Sequence, residues 1–380
     1  FGDPGSGVWT TTGRSRNTAT GYIAAHVYEQ PGTYTARLTV TNTAGQQFNY
    51  EQAITVTAFA GKTYYVSNSA GSDSNDGLST SAPFKSFDKA MSVIGPNTRI
   101  LFKRGDSWST SKYYWLNKSG PGIIGAYANA DGSDNRNLAK PRFNHGSSDS
   151  LIRVDKSASD WRIMDCEGIG TGGSSKGYFV EGVKTNVQVT CLRLSSSKFK
   201  YAFGWSQAFN DHDQNFWVDC SLPQPDQKGA YLGGRRSAML GTEIRDAGSH
   251  VLRIWHCQKF IISENLLLDP PSSGRASLKL HNVPGTSLPT QYVIVSGNHF
   301  RGDQWPVTLG PQNTSTNELV QKLVFERNLI TVGSDGRGLV GVSVFGPDIT
   351  VRNNIFDGTK SSTSDYIAVQ VEQRGIGPMA

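Results

Sequence analysis

The sequence predicts an all-β protein in two parts, a small β module over residues 1–58 and a solenoid of parallel strands over residues 59–380. Three observations lead to this prediction. Short apolar strands that end in Cys or Asn recur in the second part, mostly at intervals of 25 to 33 residues. The chain has 42 glycines among its 380 residues, which suits turn-rich β structure with a large core. Its first part alternates apolar and polar residues, as a half-buried strand does.

The first part contains two alternating segments, residues 36–40 and 54–56, separated by a turn at residues 42–45. Together with the stretches at 26–28 (HVY) and 31–34 (PGTY), these segments resemble a PKD domain, an immunoglobulin-like β-sandwich. Phe1-Gly2-Asp3-Pro4 is similar to a turn that normally lies well inside that domain, so we expect the domain to be truncated at its N-terminus. The resemblance implies a spacer or carbohydrate-adhesion role.

The second part opens with the strand Tyr64-Tyr65-Val66, a loop rich in Gly, Asp and Ser at residues 71–77, and the pair Pro83-Phe84. A helical spacing follows at residues 86–93, and then a strand and turn at 100–108. This order resembles the opening of secreted right-handed parallel β-helix enzymes. We expect the helix to cap the apolar end of the solenoid, which would otherwise be exposed.

The repeat predicts an internal ladder of stacked side chains. Strands end at three Cys and four Asn residues, namely Cys166, Cys191, Cys220, Asn265, Asn298, Asn328 and Asn354. The gap of 45 residues between Cys220 and Asn265 is too wide for one turn, and Thr242 divides it into 22 and 23. We expect the Cys residues to act as small buried hydrophobes, rather than in catalysis or metal binding, and the Asn residues to hydrogen-bond along the stack.

A second ladder predicts a row of side chains that point outward. Its strands are Leu252-Arg253-Ile254, Leu278-Lys279-Leu280, Val307-Thr308-Leu309, Val342-Ser343-Val344 and Val369-Gln370-Val371. If the flanking apolar residues point into the core, period-two alternation turns the central residue of each strand outward. His281 follows Lys279 by two residues and faces the same way. Positive charge is therefore concentrated on two consecutive turns, at Arg253 and Lys279.

The resemblance to β-helix enzymes implies carbohydrate-active chemistry, most often that of polysaccharide lyases. In such lyases the carboxylate of a uronic acid is neutralised, a base removes the C5 proton, and the 4-linked sugar leaves by β-elimination. We expect Lys279 to be the base and Arg253 to clamp the carboxylate, with His281 as the alternative base or the proton donor. Three further residues are candidates for binding the flanking sugars: His250, Arg301 and Trp255.

Carboxylates provide a rival mechanism. Four of them, Asp211, Asp213, Glu243 and Asp246, are candidates for a calcium site or for the acid/base pair of a hydrolase. Turn capping is the preferred role for most of them. A glycoside hydrolase on the same solenoid is the second hypothesis for the function, and a non-catalytic glycan-binding or adhesin solenoid is the third.

The composition of the chain limits the kinds of partner and cofactor that we expect. Lys and Arg exceed Asp and Glu by 37 − 31 = 6, which fits an acidic polysaccharide; we expect no nucleic-acid partner. The sequence contains no run of about 18 apolar residues, so we expect no membrane span, and the first residues do not have the pattern of a signal peptide. The four Cys form no CxxC motif, so we expect no zinc site, and calcium is the one cofactor considered. The resemblance implies a secreted, extracellular protein of bacterial type, and we expect a monomer.

Overall fold

The computed structural model describes residues 1–155, 158–171, 177–183, 187–205, 212–270, 275–282, 289–303, 305–310, 319–332, 340–359 and 366–372. These residues form 31 β-strands, one α-helix and the short 3-10 helix Pro4–Ser6. The chain is therefore nearly all-β, as the sequence predicts. Within the described ranges no helix has the length and hydrophobicity needed to cross a membrane.

The N-terminal module contains one antiparallel hairpin, β1 (Gly32–Thr41) and β2 (Gln47–Val56). Leu38 pairs with Tyr50 and Val40 pairs with Phe48, so these four apolar side chains lie on one face of the hairpin. All four are exposed. The predicted alternation and the predicted turn between the strands are both confirmed.

Residues 1–31, which we call the N-terminal strap, lie against the outside of the solenoid. Trp9 is buried in an apolar cluster on that surface, formed by Leu192, Val218, Ala238, Leu240 and Ile261. The hydroxyl oxygen of Tyr22 lies 2.8 Å from the carbonyl oxygen of Val293 and 2.9 Å from that of Lys322, so its one proton is shared between two acceptors. The strap is therefore bound to several turns. The boundary between the two parts near residue 58 stays a prediction.

The solenoid has three strands in each turn, and each strand stacks in parallel on its counterpart in the next turn. Three ladders result, which we call A, B and C. Ladder A contains β3 (Lys62–Val66), β4 (Thr98–Lys103), β7 (Gly122–Tyr127), β10 (Ser159–Met164), β13 (Val187–Leu192), β16 (Phe216–Val218), β23 (Thr290–Ser296), β26 (Val320–Glu326) and β29 (Ile349–Arg352). Ladder B contains β5 (Ser107–Thr110), β8 (Arg142–His145), β11 (Glu167–Ile169), β14 (Ser195–Ser197), β17 (Ser221–Pro223), β19 (Glu243–Arg245), β21 (Leu266–Leu268), β24 (His299–Gly302), β27 (Leu329–Val332) and β30 (Ile355–Asp357). Ladder C contains β6 (Tyr114–Leu116), β9 (Ile152–Val154), β12 (Tyr178–Gly182), β15 (Tyr201–Gly204), β22 (Leu278–His281), β25 (Val307–Leu309), β28 (Val340–Val344) and β31 (Ile367–Val371).

Two long strands, β18 (Lys228–Leu240) and β20 (Leu252–Ser263), run from ladder C into ladder A. Their first halves pair with ladder C neighbours and their second halves with ladder A neighbours. Ladders A and C therefore form one continuous 19-stranded sheet, while ladder B is a separate sheet of 10 strands. This architecture is a parallel β-helix, and the predicted fold class is confirmed.

From β10 onward, a tight bend joins each ladder A strand to the next ladder B strand, and one residue of each bend has a positive φ. The residues in this position are Asp165, Arg193, Asp219, Gly241, Glu264, Gly297, Arg327 and Asn353. The left-handed backbone conformation of this residue changes the direction of the chain sharply between the two ladders. Because the bend recurs at the same place in each turn, successive turns stay in register. The residue that follows each of them points into the interior, where the predicted ladder is found.

The Asn ladder is confirmed. The Nδ2 atoms of Asn265, Asn298 and Asn328 each donate to the Oδ1 atom of the next Asn along the stack, at 2.9, 3.0 and 3.1 Å. The backbone N–H of Thr242 donates to Oδ1 of Asn265 at 2.9 Å, so Thr242 does mark the turn inserted in the long gap. Each buried amide thus satisfies its neighbours' backbone groups.

One Cys was assigned to the wrong position of the ladder. Cys191 pairs with Ile163 and Trp217 on ladder A, two residues before the bend residue Arg193, and Leu194 takes the place expected for Cys191. The error arose because both Cys191 and Leu194 are apolar and lie near this bend, and either of them fits the end of a repeat strand. All four Cys are free and buried, and burial raises the pKa of each thiol.

The core runs the length of the solenoid, and a helix closes its first end. Helix α1 (Phe87–Ser92) begins at the N-cap Ser86, whose hydroxyl accepts a hydrogen bond from the backbone N–H of Lys89. Phe87, Ala90 and Met91 are buried against the first turns. The predicted helix over residues 86–93 is therefore confirmed.

Candidate functional site

The predicted outward row lies on ladder C. Arg253 is paired with Lys279, and the row continues through Thr308, Ser343 and Gln370 in the predicted register. Ser343, which was predicted to point outward, is buried. In the other direction it extends through five further residues: Tyr231, Gly204, Glu181, Arg153 and Trp115. The strands of this ladder hold the side chains about 4.8 Å apart, so the row is a rigid track along the solenoid.

A polar cavity of about 390 Å³ opens on the row at the two turns that carry Arg253 and Lys279. Its lining consists of Gln227, Lys228, Gly248, Ser249, His250, Arg253, Arg275 and Lys279. Four of these side chains are Lys or Arg, and none of the described residues that line the cavity is a carboxylate. The cavity therefore attracts an anion.

Arg253 lies at the centre of the site and is held by His281. Its Nε donates a hydrogen bond to Nε2 of His281 at 2.9 Å. His281 is fully buried, and burial together with the charges of Arg253 and Lys279 lowers the pKa of His281 to about 2. The imidazole is therefore neutral at physiological pH. A neutral imidazole can orient the guanidinium, whereas the roles of His281 as alternative base or proton donor stay predictions.

His250 is also neutral and lines the cavity. Its Nδ1 accepts a hydrogen bond from the backbone N–H of Ala276 at 2.9 Å, and burial followed by the charge of Lys279 lowers the pKa of His250 to about 3. Because Nδ1 is the acceptor of a neutral imidazole, the ring proton is on Nε2. His250 can therefore offer an uncharged N–H to a substrate oxygen, in agreement with its predicted binding role.

Lys228 is a cavity residue that the sequence reasoning missed. It is the first residue of β18, and it lies one turn before Arg253 while Lys279 lies one turn after. Burial, Arg253, Lys200 and Arg275 lower the pKa of Lys228 to about 8. A large fraction of this amine is therefore neutral near pH 8, which is the condition for an amine to act as a base.

The signal for Lys228 was present in the sequence. Ala230-Tyr231-Leu232 has the same apolar flanks as Leu252-Arg253-Ile254, and it occupies the same register one turn earlier. Aligning these two segments would have added Tyr231 to the outward row and placed Lys228 next to the basic cluster.

Aromatic rings line the same face. The ring centroids of Tyr231 and Trp255 are 5.3 Å apart, and those of Trp255 and His281 are 5.5 Å apart. The guanidinium of Arg253 lies over Tyr231 and Trp255, at 5.4 and 5.1 Å from the ring centroids. Trp255 is half-buried beside Arg253, and its role in binding a sugar stays a prediction.

The structure does not bring Arg301 to the cavity. Arg301 belongs to β24 on ladder B, where its Nε donates to Oδ1 of Asp269 at 2.7 Å. The sequence placed it near Lys279 because the two are close along the chain, but a bend between the ladders turns them onto different faces.

The carboxylates of the rival mechanism are separated as well. Asp213 pairs with Arg236 just before β16, whereas Glu243 pairs with Arg245 on ladder B, and Asp246 follows that strand in a positive-φ bend. Asp211 lies outside the described residues. Throughout the described ranges, no three His, Cys, Asp or Glu side chains are grouped so that they could hold a metal ion.

Sequence comparison finds a known domain family at the N-terminus. Residues 5–58 match the PKD domain family. A lacto-N-biosidase from Bifidobacterium longum subsp. longum is 34% identical over 82 residues, a stretch that covers 20% of this chain and 5% of that protein. The matched stretch is thus a small part of that relative.

Three solved structures share the fold at low sequence identity. A rhamnogalacturonan lyase aligns with a TM-score of 0.55 and 15% identity over 82% of this chain and 87% of its own. An alginate lyase from Paenibacillus sp. str. FPU-7 gives 0.52 and 11%, over 82% and 99%. The GH136 lacto-N-biosidase from Eubacterium ramulus gives 0.50 and 13%, over 83% and 68%. The chain thus combines a PKD domain with a parallel β-helix of the kind found in enzymes that act on polysaccharides.

Proposed function

We propose that this protein is a polysaccharide lyase that cleaves a uronic-acid-containing polysaccharide by β-elimination at the ladder C cavity. The observation that carries the proposal is the composition of the cavity lining: Lys228, Arg253, Arg275 and Lys279 line it, and none of the described lining residues is a carboxylate. A hydrolase of the usual kind requires two carboxylates at its centre, whereas a lyase requires cations and a base. Two of the three fold relatives described above are also lyases.

Arg253 is the residue we propose for neutralising the substrate carboxylate. A guanidinium presents a planar fork of donors that suits a carboxylate. The hydrogen bond from Nε of Arg253 to His281 anchors the guanidinium beside the cavity. Masking the carboxylate charge makes the neighbouring C5 proton acidic enough to be removed.

Two lysines are candidates for the base. The sequence predicts Lys279, and the lowered pKa of about 8 supports Lys228. We propose that Lys228 removes the C5 proton and that Lys279 shares the carboxylate with Arg253. The electron pair of the C5–H bond forms the C4–C5 double bond while the C4–O bond breaks. The departing oxygen takes up the proton that Lys228 has accepted, directly or through water, so the neutral amine is restored at the end of the cycle.

Ultraviolet absorbance of the unsaturated uronyl product tests the proposal. The full chain would be incubated with a panel of acidic polysaccharides, with and without EDTA, and reducing ends would be measured in parallel. We expect absorbance and reducing ends to rise together. Reducing ends without absorbance would replace the lyase by a hydrolase, and neither signal on any glycan would favour a binding module. Loss of the signal in EDTA would add calcium to the site.

Substitution of each lysine assigns the base. We expect Lys228→Ala to lower kcat by about 10²- to 10⁴-fold, the usual contribution of general base catalysis. Lys279→Ala is the matched variant, and we expect it mainly to raise KM. The opposite pattern would return the base to Lys279.

An enzyme that depolymerises such a large substrate acts outside the cell, so we also propose that the protein is secreted.

A further inference from the structure

We propose a second carbohydrate-binding subsite on ladder C, formed by Tyr113, Trp115 and Arg153, which binds the apolar face of a sugar ring far from the cavity. This inference rests on the proposed function and extends it. It means that the substrate lies along the solenoid over several turns, so that chains long enough to reach both places bind better than short ones.

The subsite is built from two aromatic rings and one arginine. The rings of Tyr113 and Trp115 are perpendicular, with centroids 6.2 Å apart. The guanidinium carbon of Arg153 lies 4.8 Å from the Tyr113 centroid and 5.7 Å from that of Trp115. Tyr113 is 45% exposed, so its ring is open to solvent although Trp115 and Arg153 contact it. Fixed rings that remain open to solvent bind with little loss of conformational entropy.

Arg153 is held in place and its charge is compensated. Its Nε donates to Oε2 of Glu181 at 3.1 Å, and its Nη2 lies 3.4 Å from Oδ1 of Asp149. The hydroxyl of Ser150 also donates to Oε2 of Glu181, at 2.7 Å, which fixes that carboxylate. The subsite therefore offers ring faces rather than net positive charge, and it suits the C–H face of a sugar more than its carboxylate.

Trp115 belongs to the same outward row as the cavity residues. Four steps along ladder C lead from Trp115 through Arg153, Glu181 and Gly204 to Tyr231. At about 4.8 Å for each step, the subsite lies about 19 Å from Tyr231. The two sites are thus parts of one straight track.

Aromatic rings also pack together in the turns between the two sites. The ring centroids of Tyr178 and Tyr201 are 4.9 Å apart, and those of Tyr201 and Tyr231 are 6.2 Å apart. Gly204 permits this arrangement because a Cβ atom there would collide with the Tyr178 ring. Tyr201 is only 8% exposed, so these rings support the track from below, and the proposed distal subsite consists of Tyr113, Trp115 and Arg153 alone.

Substrate length separates the two sites experimentally. Steady-state kinetics would be measured on short and long fragments of the polysaccharide that the absorbance assay identifies. We expect Trp115→Ala and Tyr113→Ala to raise KM for long fragments by roughly 2- to 10-fold, the size of one aromatic contact. We expect kcat, and KM for short fragments, to stay at the wild-type values. Tyr50→Ala, which removes an exposed ring from the N-terminal hairpin, is the matched control.

The outcomes distinguish this inference from the proposed function. If the wild-type protein neither cleaves nor binds any acidic polysaccharide, the lyase proposal fails and this inference falls with it. If the wild-type protein cleaves long fragments and both aromatic variants match it at every length, only the distal subsite is refuted. Equal losses on short and long fragments would indicate damage to the fold, which thermal unfolding of each variant would reveal. We also expect the length effect to persist in high salt, where binding at the cavity weakens.

Discussion

Nε of Arg253 is 2.9 Å from Nε2 of His281, and this hydrogen bond joins a cationic cavity residue to a buried, neutral imidazole on the next turn. Arginine side chains are long and mobile, and holding one in a single orientation lowers the entropy lost when a carboxylate binds. We therefore assign His281 a positioning role.

Removing the acceptor should release Arg253. We expect His281→Ala to lower kcat/KM by roughly 10- to 100-fold, since hydrogen bonds to charged groups contribute about 1.5–3 kcal/mol. The loss should be mostly in KM, and His281→Gln, which retains an acceptor, should restore part of it. A variant in which kcat falls while KM is unchanged, with no rescue by Gln, would contradict positioning and support direct catalysis.

The pH dependence of the rate should follow Lys228. The base must be neutral, so kcat/KM should rise with pH and level off above the lysine pKa of about 8. The charge of Lys200 contributes to the lowered pKa of Lys228, so Lys200→Gln should raise that pKa and move the rising limb to higher pH. Lys198→Gln, two residues away on the same segment, is the control. A limb that does not move in the Lys200 variant would argue against Lys228 as the base.

Acid should destabilise the fold through the two site histidines. An unfolded histidine binds a proton below about pH 6.5, whereas folded His250 and His281 stay neutral down to pH about 3 and about 2. The unfolded state thus binds more protons, and stability should fall as the pH drops below about 6.5. The free energy of unfolding, measured in urea for the wild type and for His250→Gln at several pH values between about 3 and about 6.5, tests this prediction. The same slope in both proteins would mean that His250 does not contribute.

The Asn ladder should contribute strongly to stability. Asn298 makes buried hydrogen bonds to Asn265, Asn328 and the carbonyl of Ile262. Because each buried polar group left without a partner costs about 1–3 kcal/mol, we expect Asn298→Ala to lower the free energy of unfolding by about 3 kcal/mol or more. Asn49→Ala on the exposed hairpin should change it by less than about 0.5 kcal/mol. Similar values for both variants in denaturant unfolding would refute the role of the ladder.

The strap should also stabilise the solenoid. Trp9 is only 6% exposed, and we expect Trp9→Ala to cost about 3–5 kcal/mol, the usual range for a buried aromatic residue. Phe48→Ala is the control, because Phe48 is 59% exposed on the hairpin. Thermal unfolding of the two variants measures the difference. If Trp9→Ala unfolds at the wild-type temperature, the strap does not hold the solenoid.

The sequence predicts those parts of the fold that depend on the alternation of residues within a strand and on the length of the repeat. The row from Arg253 to Gln370 follows from strand alternation, and the stacking of Asn265 on Asn298 follows from the repeat length. Arg301 was misplaced because the side of a bend on which a residue lies depends on the ladder that contains it. The burial of His281 could not be predicted, since it depends on how neighbouring turns cover the ring.

The surface that the strap covers has a sequence pattern that strand alternation does not explain. Ladder A strands end in consecutive apolar residues, such as Trp217-Val218 and Met239-Leu240, where an outward residue facing water would be polar. Val218 and Leu240 are the residues that Trp9 covers. Such doubled apolar positions indicate that a surface of the solenoid is covered, but they do not identify the segment that covers it.

The strap also affects how the solenoid unfolds. A solenoid is nearly one-dimensional, because each turn contacts only its neighbours, and it can fray from either end or open locally. The strap joins distant turns: Glu29 accepts hydrogen bonds from Arg136 and Arg193, while Arg327 donates to Thr20. Opening a turn under the strap therefore requires the release of contacts to turns far along the chain. We expect this part of the solenoid to unfold as one cooperative block, with uniformly slow amide hydrogen exchange, whereas the last turns beyond Arg327 exchange independently.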